Sequence, residues 1–170
     1  MLFPDQLKLS KSLTKLLRQN RFEVFLDRDF ERVIQSCSHP RDYTDGTWIT
    51  SEMIGAYIDL HKLGVAHCIS CYQDGELAGG LYGIGLGRLF FGESMFHTQR
   101  DASKVAFAHL VRFLKGNQCP LIDCQIGNPH LSSLGATEIP RRRFCQYLDQ
   151  NAGISTPIAW QALTGQLPPW

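Results

Sequence analysis

Two polar side chains interrupt an otherwise apolar stretch of the sequence. Asp123 and Gln125 lie within Leu121–Ile126, which follows Pro120 and has the composition of a buried strand. Residues two apart on a strand point to the same face of a sheet, so this carboxylate and this amide are predicted to share a face. Buried polar groups need polar neighbours, which favours either a cleft or a structural hydrogen-bond network. In a cleft, the aspartate can accept a proton and the glutamine can orient a reactant.

A third polar group, Glu93, follows the predicted strand Arg88–Gly92 and precedes a helix predicted from about Ala102. A carboxylate there is costly to bury without a partner. It either pairs at the rim of the sheet or receives a cationic group such as a protonated amine. No Ser–His–Asp or Cys–His arrangement can be argued, because the six histidines are scattered singly and Cys124 is predicted to face the core.

Two cysteines, Cys68 and Cys71, have the C-x-x-C spacing of zinc and redox sites. They fall in a predicted strand, where residues three apart face opposite sides. The sequence has no second such pair to complete four ligands. We therefore expect these cysteines to pack in the core, and we expect no metal.

The glycine-rich run from Gly79 to Gly87 matches neither a dinucleotide-binding loop nor a P-loop, because a strand is predicted after it and the required lysine is missing. It indicates a hairpin with tight turns, or strands that another backbone or a ligand approaches closely. The pyrophosphate-loop signature of acetyltransferases is also missing from the sequence, which disfavours acetyl-CoA as a substrate.

Composition limits the class of protein. The chain has 170 residues, 44% hydrophobic and 19% charged, as expected for one globular domain. The formal net charge is +1, so a nucleic-acid site would have to come from local clusters of charge. No apolar run approaches the roughly 20 residues that span a bilayer. Without a secretory signal, we expect a cytoplasmic protein with free thiols.

The elements that would position these residues follow from the hydrophobic pattern. Ser10, Asp29 and Thr50 are predicted to cap helices, and Gly64 to end one. Helix–strand–helix–helix, a three-stranded meander and helix–strand–helix then follow in order. This order predicts an α/β (α+β) fold, in which a mixed, largely antiparallel sheet is flanked by helices, as in the acetyltransferase-like (GNAT-like) superfamily.

The predicted helix Ala102–Lys115 carries one apolar face. Most of this face is expected to be core. Together with apolar residues of the strands it could also line a pocket for a leucine- or phenylalanine-sized side chain. The residues of this pocket are Leu81, Met95, Phe107, Leu110, Leu114 and Ile122.

Several runs, in this order, resemble the bacterial leucyl/phenylalanyl-tRNA–protein transferases, and the likeness extends from about Phe3 to Leu148. The runs are Asp45–Thr50, Ala56-Tyr57 with Leu60–His67, Glu76–Gly83, Gly92–Phe96 with Ala102–Lys104, Leu121–Gln125 with Asn128 and His130, and Ser133–Ala136 through Glu138–Arg142.

The resemblance implies an acetyltransferase-like fold that transfers leucine, phenylalanine or methionine from aminoacyl-tRNA to the α-amino group of proteins beginning with Arg or Lys. Such proteins are marked for degradation through the N-end rule. The resemblance implies no cofactor, no metal and no acyl-enzyme, and we expect a monomer that does not enter membranes. By position it assigns catalysis to Asp123 and Gln125, with Glu93 near the reacting amine. Trp48 and Asn128 are assigned to the terminal adenosine of the tRNA.

With a tRNA substrate implied, the basic clusters gain a second interpretation. Lys8, Lys11, Lys15 and Arg18 recur along one face of the first predicted helix, opposite its leucines, and Arg141 and Arg142 form a second cluster. A solvated helix face is the commoner origin of such a stripe. We predict instead that both clusters contact phosphates without reading base sequence.

The chain also departs from the family. Family members carry an additional N-terminal domain with a Leu-Gly-Gly-Asp motif, and this chain starts beyond it, so we expect tRNA affinity to suffer more than chemistry. His97, Leu81 and Phe107 stand where other residue types are expected in the family, and they are expected to shift the preference for the transferred side chain.

Residues 1–150 are predicted as the catalytic domain. Residues 151–170, with three prolines and little periodicity, are predicted as an extension that packs on it or is partly ordered. An enzyme with another acyl donor and a non-catalytic binding module are the alternatives.

Overall fold

The computed structural model describes residues 1–39, 48–154, 157–160 and 165–170. Six strands form one sheet in the order β5-β4-β3-β2-β1-β6, antiparallel except where β4 and β5 run parallel. The strands are β1 (Glu23–Leu26), β2 (Ala66–Gln73), β3 (Glu76–Leu86), β4 (Leu89–His97), β5 (Ile122–Asp123) and β6 (Gly165–Gln166). The described helices are α1 (Lys11–Arg18), α2 (Phe30–Ser38), α3 (Ser51–Lys62), α4 (Ala102–Gly116), α5 (Pro129–Ser133) and α6 (Arg141–Asn151). This is the mixed, largely antiparallel architecture that the sequence predicts.

Local chemistry explains where most elements begin. The Ser10 hydroxyl accepts a hydrogen bond from the Leu13 backbone N–H at 3.1 Å, and Thr50 accepts one from Met53 at 3.3 Å, so both residues cap helices as predicted. The prediction for Asp29 is wrong. Its φ is +55° and its side chain makes no capping bond to α2, because its carboxylate instead accepts a hydrogen bond from the Tyr72 hydroxyl.

Two strand boundaries differ from the predictions. Strand β4 continues through Gly92 to His97, because its pairing with β3 extends as far as Gly79, so Glu93 lies inside the strand rather than after it. Strand β5 is shorter than predicted and ends at Asp123, and Gln125 beyond it has a φ of +57°. A left-handed residue cannot continue an extended strand.

The sheet is covered on both faces. The main core lies between one face and α4, and α1 packs against it through Leu13 and Leu17. On the other face, α2 and α3 cover a second cluster. As predicted, Cys68 and Cys71 face opposite sides, since Cys68 lies in the second cluster and Cys71 in the main core. All six cysteines are free, and no metal-binding group of His, Cys, Asp or Glu occurs among the described residues.

Protein atoms account for the close approaches in the glycine-rich strand. A Cβ on Gly83 would collide with the Phe91 carbonyl oxygen and would lie 2.5 Å from the Phe90 ring. A Cβ on Gly85 would lie 2.6 Å from the indole nitrogen of Trp160. These two glycines therefore allow β4 and the C-terminal segment to pack tightly on β3.

The described part of residues 151–170 lies against the sheet. Ile158, Trp160 and Leu167 are buried, and β6 pairs with the edge strand β1. The Trp160 indole stacks on the His67 ring with centroids 3.9 Å apart. Along the described ranges, no helix is long and apolar enough to cross a membrane.

Candidate active site

The sheet opens where β4 and β5 separate. The two strands pair in parallel only at Phe90 with Ile122 and at Phe91 with Asp123. Strand β4 then continues to His97, whereas the chain after Asp123 turns into a loop that leads to α5. In the part of the chain that the structure describes, no other strand pairs with this edge of β4. The resulting opening is lined by Glu93 on one side and by the loop after β5 on the other.

A β-bulge turns Glu93 toward this opening. Tyr82 pairs with Ser94 and Gly83 pairs with Gly92, so Glu93 is the extra residue with no partner on β3. Bulges locally increase twist and re-aim side chains. Strict alternation would place Glu93 on the same face as Met95, which packs against the main core. The charge of Glu93 raises the pKa of Tyr57 on α3, so Glu93 lies toward the other face, which α3 covers.

Hydrogen bonds join the three candidate catalytic residues. The Gln125 side-chain nitrogen Nε2 donates to Glu93 Oε2 at 3.0 Å, and the Gln125 backbone N–H donates to Asp123 Oδ1 at 2.7 Å. The structure thus brings Asp123 and Gln125 together as expected, but not by the predicted geometry. They do not share a strand face, because Gln125 lies in the loop beyond the strand.

The contact with Glu93 fixes the orientation of the Gln125 amide. A carboxylate oxygen only accepts hydrogen bonds, so the amide must present its NH2 group to Glu93. Its carbonyl oxygen then points elsewhere and can accept a hydrogen bond from an amine. Gln125 is exposed, and Asp123 and Glu93 are partly buried, so a substrate can reach the group.

Tyr57 lies close to this group and was not among the predicted site residues. Its ring packs edge-on against Tyr82 with centroids 5.2 Å apart. Burial, followed by the charge of Glu93, raises the pKa of Tyr57 to about 12, so the phenol stays protonated at physiological pH. The sequence signal that could have found it was a tyrosine between Ile54 and Ile58 on the inner face of α3, since a buried Tyr hydroxyl usually has a polar partner.

The family model for leucyl/phenylalanyl-tRNA protein transferases matches residues 1–149. The chain belongs to this family. A leucyl/phenylalanyl-tRNA–protein transferase of Azotobacter vinelandii is 53% identical over 162 residues, which cover 95% of this chain and 72% of that protein. One from Pseudomonas putida is 51% identical with the same coverage. The predicted family membership is therefore confirmed, and the chain is an aminoacyltransferase.

Among solved structures, an aminoglycoside acetyltransferase from an uncultured soil metagenomic sample superposes with a TM-score of 0.50 at 10% identity. The match covers 71% of this chain and 92% of that one. At this identity the likeness concerns the fold alone, and it confirms the acetyltransferase-like class.

The side-chain pocket expected for this transferase family maps largely to the main core. Five of its six residues are at most 4% exposed, namely Leu81, Phe107, Leu110, Leu114 and Ile122. Met95 is partly buried, pairs with Leu81 across β3 and β4, and lies two residues after Glu93. Met95 is therefore the member of the set that the core does not fully bury.

The two residues assigned to the terminal adenosine of the tRNA lie in different parts of the fold. The Trp48 side chain is 53% exposed just before α3. Asn128 lies shortly after Gln125, and its Oδ1 accepts a hydrogen bond from the Leu131 backbone N–H at 2.8 Å, which caps α5. The Asn128 Nδ2 group makes no hydrogen bond to the residues that the structure describes.

A polar group lies at the far end of the opening, where β4 meets α4. It comprises His97, Ser103, Lys104 and His130. Burial, then the nearby charges of Lys104 and His97, lower the pKa of His130, so its imidazole is neutral at physiological pH. Lys104 forms a 2.6 Å ion pair with Asp101, which offsets part of its charge.

Both basic clusters lie on the surface of the transferase. Lys11, Lys15 and Arg18 are exposed on α1, whereas Leu13 and Leu17 on its opposite side are buried. Lys8 is also exposed, but its predicted place on the helix is wrong, because Ser10 caps α1 and the helix begins at Lys11. Arg141 and Arg142 are exposed in the first turn of α6, which contains no acidic residue. The positive end of a helix dipole disfavours cations. The Arg141 guanidinium lies over the Phe144 ring, 5.4 Å from its centroid.

Proposed function

We propose that this chain transfers leucine, phenylalanine or methionine from aminoacyl-tRNA to the α-amino group of proteins that begin with Arg or Lys. The observation that carries the proposal is the hydrogen-bonded group of Glu93, Gln125 and Asp123 at the opening between β4 and β5 of a family member. The substrate amino acids and the acceptor termini are those implied by the family resemblance.

The reaction needs positioning more than strong activation. An aminoacyl ester is already reactive, and an α-amine with a pKa near 8 is partly neutral at physiological pH. The amine nitrogen attacks the ester carbonyl carbon, a C–N bond forms, and the C–O bond to the tRNA ribose breaks. One proton leaves the nitrogen and one is gained by the ribose oxygen. Holding both reactants together supplies much of the rate.

Each residue of the group has a distinct part in this proposal. The Gln125 carbonyl oxygen accepts a hydrogen bond from the attacking amine and so aims its lone pair at the ester. Asp123 is the carboxylate able to hold the proton in transit. Glu93 fixes the Gln125 amide, and its negative charge favours the cationic Arg or Lys side chain of the acceptor.

The decisive experiment is incubation with leucyl-tRNA and a peptide that begins with Arg, followed by mass spectrometry. We expect a gain of one leucine at the peptide N-terminus. No gain is expected with an N-acetylated peptide, or with acetyl-CoA in place of the charged tRNA. Binding of leucyl-tRNA without any gain would contradict the proposal and favour a non-catalytic binding module. Acetylation of the peptide would favour the other alternative, an enzyme with a different acyl donor.

Met95 offers the cleaner test of side-chain selection. Enlarging Leu81 would overpack the core, since Leu81 is 3% exposed. Met95→Ala is expected to change the ratio of leucine to phenylalanine transfer by roughly tenfold, because apolar pockets discriminate by about 1–3 kcal/mol per methylene. Met53→Ala on α3 serves as the control, because Met53 is also a partly buried methionine. An unchanged ratio in Met95→Ala would count against this pocket.

A further inference from the structure

Another carboxylate lies beside the loop that carries Gln125. A Cβ added to Gly127 would lie 3.6 Å from Glu138 Oε1, so this carboxylate borders the loop shortly after Gln125. Two residues of fully extended chain span at most about 7 Å, so Gly127 is no farther than that from Gln125. If the α-amine of an acceptor is held at Gln125, an extended Arg or Lys side chain on the same residue can reach the Glu138 carboxylate.

The negative charge of Glu138 is available to an external cation. Glu138 is exposed, and it forms no salt bridge with any residue that the structure describes. Arginines follow it closely in the sequence, but their guanidinium groups lie over aromatic rings. Arg141 lies 5.4 Å from the centroid of Phe144. Arg143 lies 5.4 Å from the centroid of Phe3.

An apolar side chain lies between Gln125 and Gly127. Ile126 is 81% exposed, the largest value among the exposed large hydrophobic residues that the structure describes. Hydrogen bonds hold the loop at both ends, at Gln125 and at Asn128. Arg and Lys lay their methylene stems along apolar surface while the charged end stays in water. The loop thus offers, in order, an amide for the amine, an apolar surface for the stem and, beside Gly127, a carboxylate for the cation.

We propose that Glu138 is a specificity-determining residue that binds the guanidinium or ammonium group of the acceptor's N-terminal Arg or Lys. The inference rests on the proposed function and deepens it, because it names the contact that selects the acceptor. Glu93 is partly buried and its Oε2 already accepts the Gln125 amide, so its charge acts at the end of the site where the amine reacts. Glu138 makes the direct contact with the cationic side chain, to which a carboxylate can offer two oxygens.

The kinetic test removes the charge of Glu138 and keeps its shape. For Glu138→Gln and a peptide that begins with Arg, we expect KM to rise roughly fivefold to tenfold, between the effects of an exposed ion pair and of a hydrogen bond to a charged group. We expect kcat to stay at the parent's value, because Glu138 does not touch the reacting atoms. Glu76→Gln is the matched control and should keep the parent's KM, since Glu76 is also exposed but lies at the start of β3. An unchanged KM in Glu138→Gln, or an equal rise in both variants, would overturn the inference.

A peptide that begins with citrulline separates charge recognition from loop structure, because citrulline has nearly the shape of arginine without its charge. Glu138→Gln should raise KM for the Arg peptide and leave KM for the citrulline peptide almost unchanged, since the variant and the peptide remove the same interaction. Equal rises for both peptides would mean that Glu138 only shapes the loop, and the inference would fail. A parent that transfers no leucine would defeat the proposed function. Equilibrium binding of the two peptides would then decide this inference, which fails if Glu138→Gln does not weaken binding of the Arg peptide selectively.

Discussion

Gln125 joins the other two residues of the candidate site through hydrogen bonds. Its backbone N–H binds Asp123 and its side chain binds Glu93, so a single glutamine in the left-handed region connects the end of β5 to the middle of β4. The residue types and their nearness were predictable from the sequence, because polar groups in an apolar run need each other. The geometry was not, since neither the bulge at Glu93 nor the φ of Gln125 has a local sequence signal.

Replacing Asp123 or Gln125 by Ala should cut the rate of leucine transfer by a factor of roughly 100 to 10,000, the range for positioned proton-transfer groups. The fold should survive, because neither side chain is part of a core cluster. Gln118→Ala is the matched control, since Gln118 is also a glutamine with positive φ, +58°. Single-turnover assays with leucyl-tRNA measure the effect. Near-normal rates in both site variants would refute the assignment.

His109 gives the molecule a predictable response to acid. Burial, and to a lesser extent the charge of Arg112, lowers its pKa from 6.5 to about 4. Between these values the unfolded chain binds a proton that the folded chain does not, so the free energy of unfolding is intact above pH 6.5 and falls with pH below it. Protonation of His109 alone should lower the free energy of unfolding by about 2 kcal/mol between pH 7 and pH 5. Urea denaturation should show a correspondingly smaller loss for His109→Phe, and an equal loss would refute the prediction.

At the scale of elements, short-range signals located most of the fold. Caps at Ser10 and Thr50, the helix stop at Gly64 and the two positive φ angles of the Asp74-Gly75 turn all depend on neighbours in the chain. Predictions that depended on distant partners were less accurate. Asp29 binds Tyr72 across the fold instead of capping α2. Strand β4 is extended by its long pairing with β3, which periodicity alone does not reveal.

The C-terminal segment shows the same dependence on distant contacts, because Trp160 lies in a sequence with little periodicity yet is buried. Its indole contacts His67, Phe90 and Phe113, with ring centroids 3.9 to 5.6 Å away. Trp160→Ala should lower the free energy of unfolding by about 3–5 kcal/mol, as for other buried aromatic residues. Trp48→Ala removes an exposed tryptophan and should change it by less than about 0.5 kcal/mol. Equal urea midpoints of unfolding for Trp160→Ala and Trp48→Ala would show that the C-terminal segment contributes little to stability.

For the molecule as a whole, a net charge of +1 conceals an uneven distribution. Many surface cations are paired, as Lys62 is with Asp59 and Lys115 is with Asp5, at 2.9 Å each. The four basic residues of the stripe from Lys8 to Arg18 form no salt bridge within the described residues. Their charge therefore remains free to attract an external polyanion. The sequence showed the stripe, but only the structure shows which cations elsewhere are neutralised by a neighbour.

Neutralising Lys11, Lys15 and Arg18 together with glutamine should weaken tRNA binding and flatten its salt dependence. The log–log slope should fall by roughly 2–3 units, because each phosphate that a cation neutralises adds about 0.7–0.9 to that slope. Transfer from a short aminoacyl-adenosine analogue should barely change, because that substrate lacks the tRNA body. Filter-binding titrations across a range of salt concentrations measure the slope.

The matched control neutralises three other cations with the same total change in charge. Arg32, Lys62 and Lys115 are each paired with an aspartate in the folded chain, at 3.9, 2.9 and 2.9 Å. If only net charge mattered, both triple variants would lose tRNA affinity equally, because both lower the charge by three. If the stripe contacts phosphates, only the α1 variant shows a reduced slope as well as a reduced affinity. Retention of the parent's slope by the α1 variant would mean that α1 presents a solvated face and that the tRNA docks on another surface.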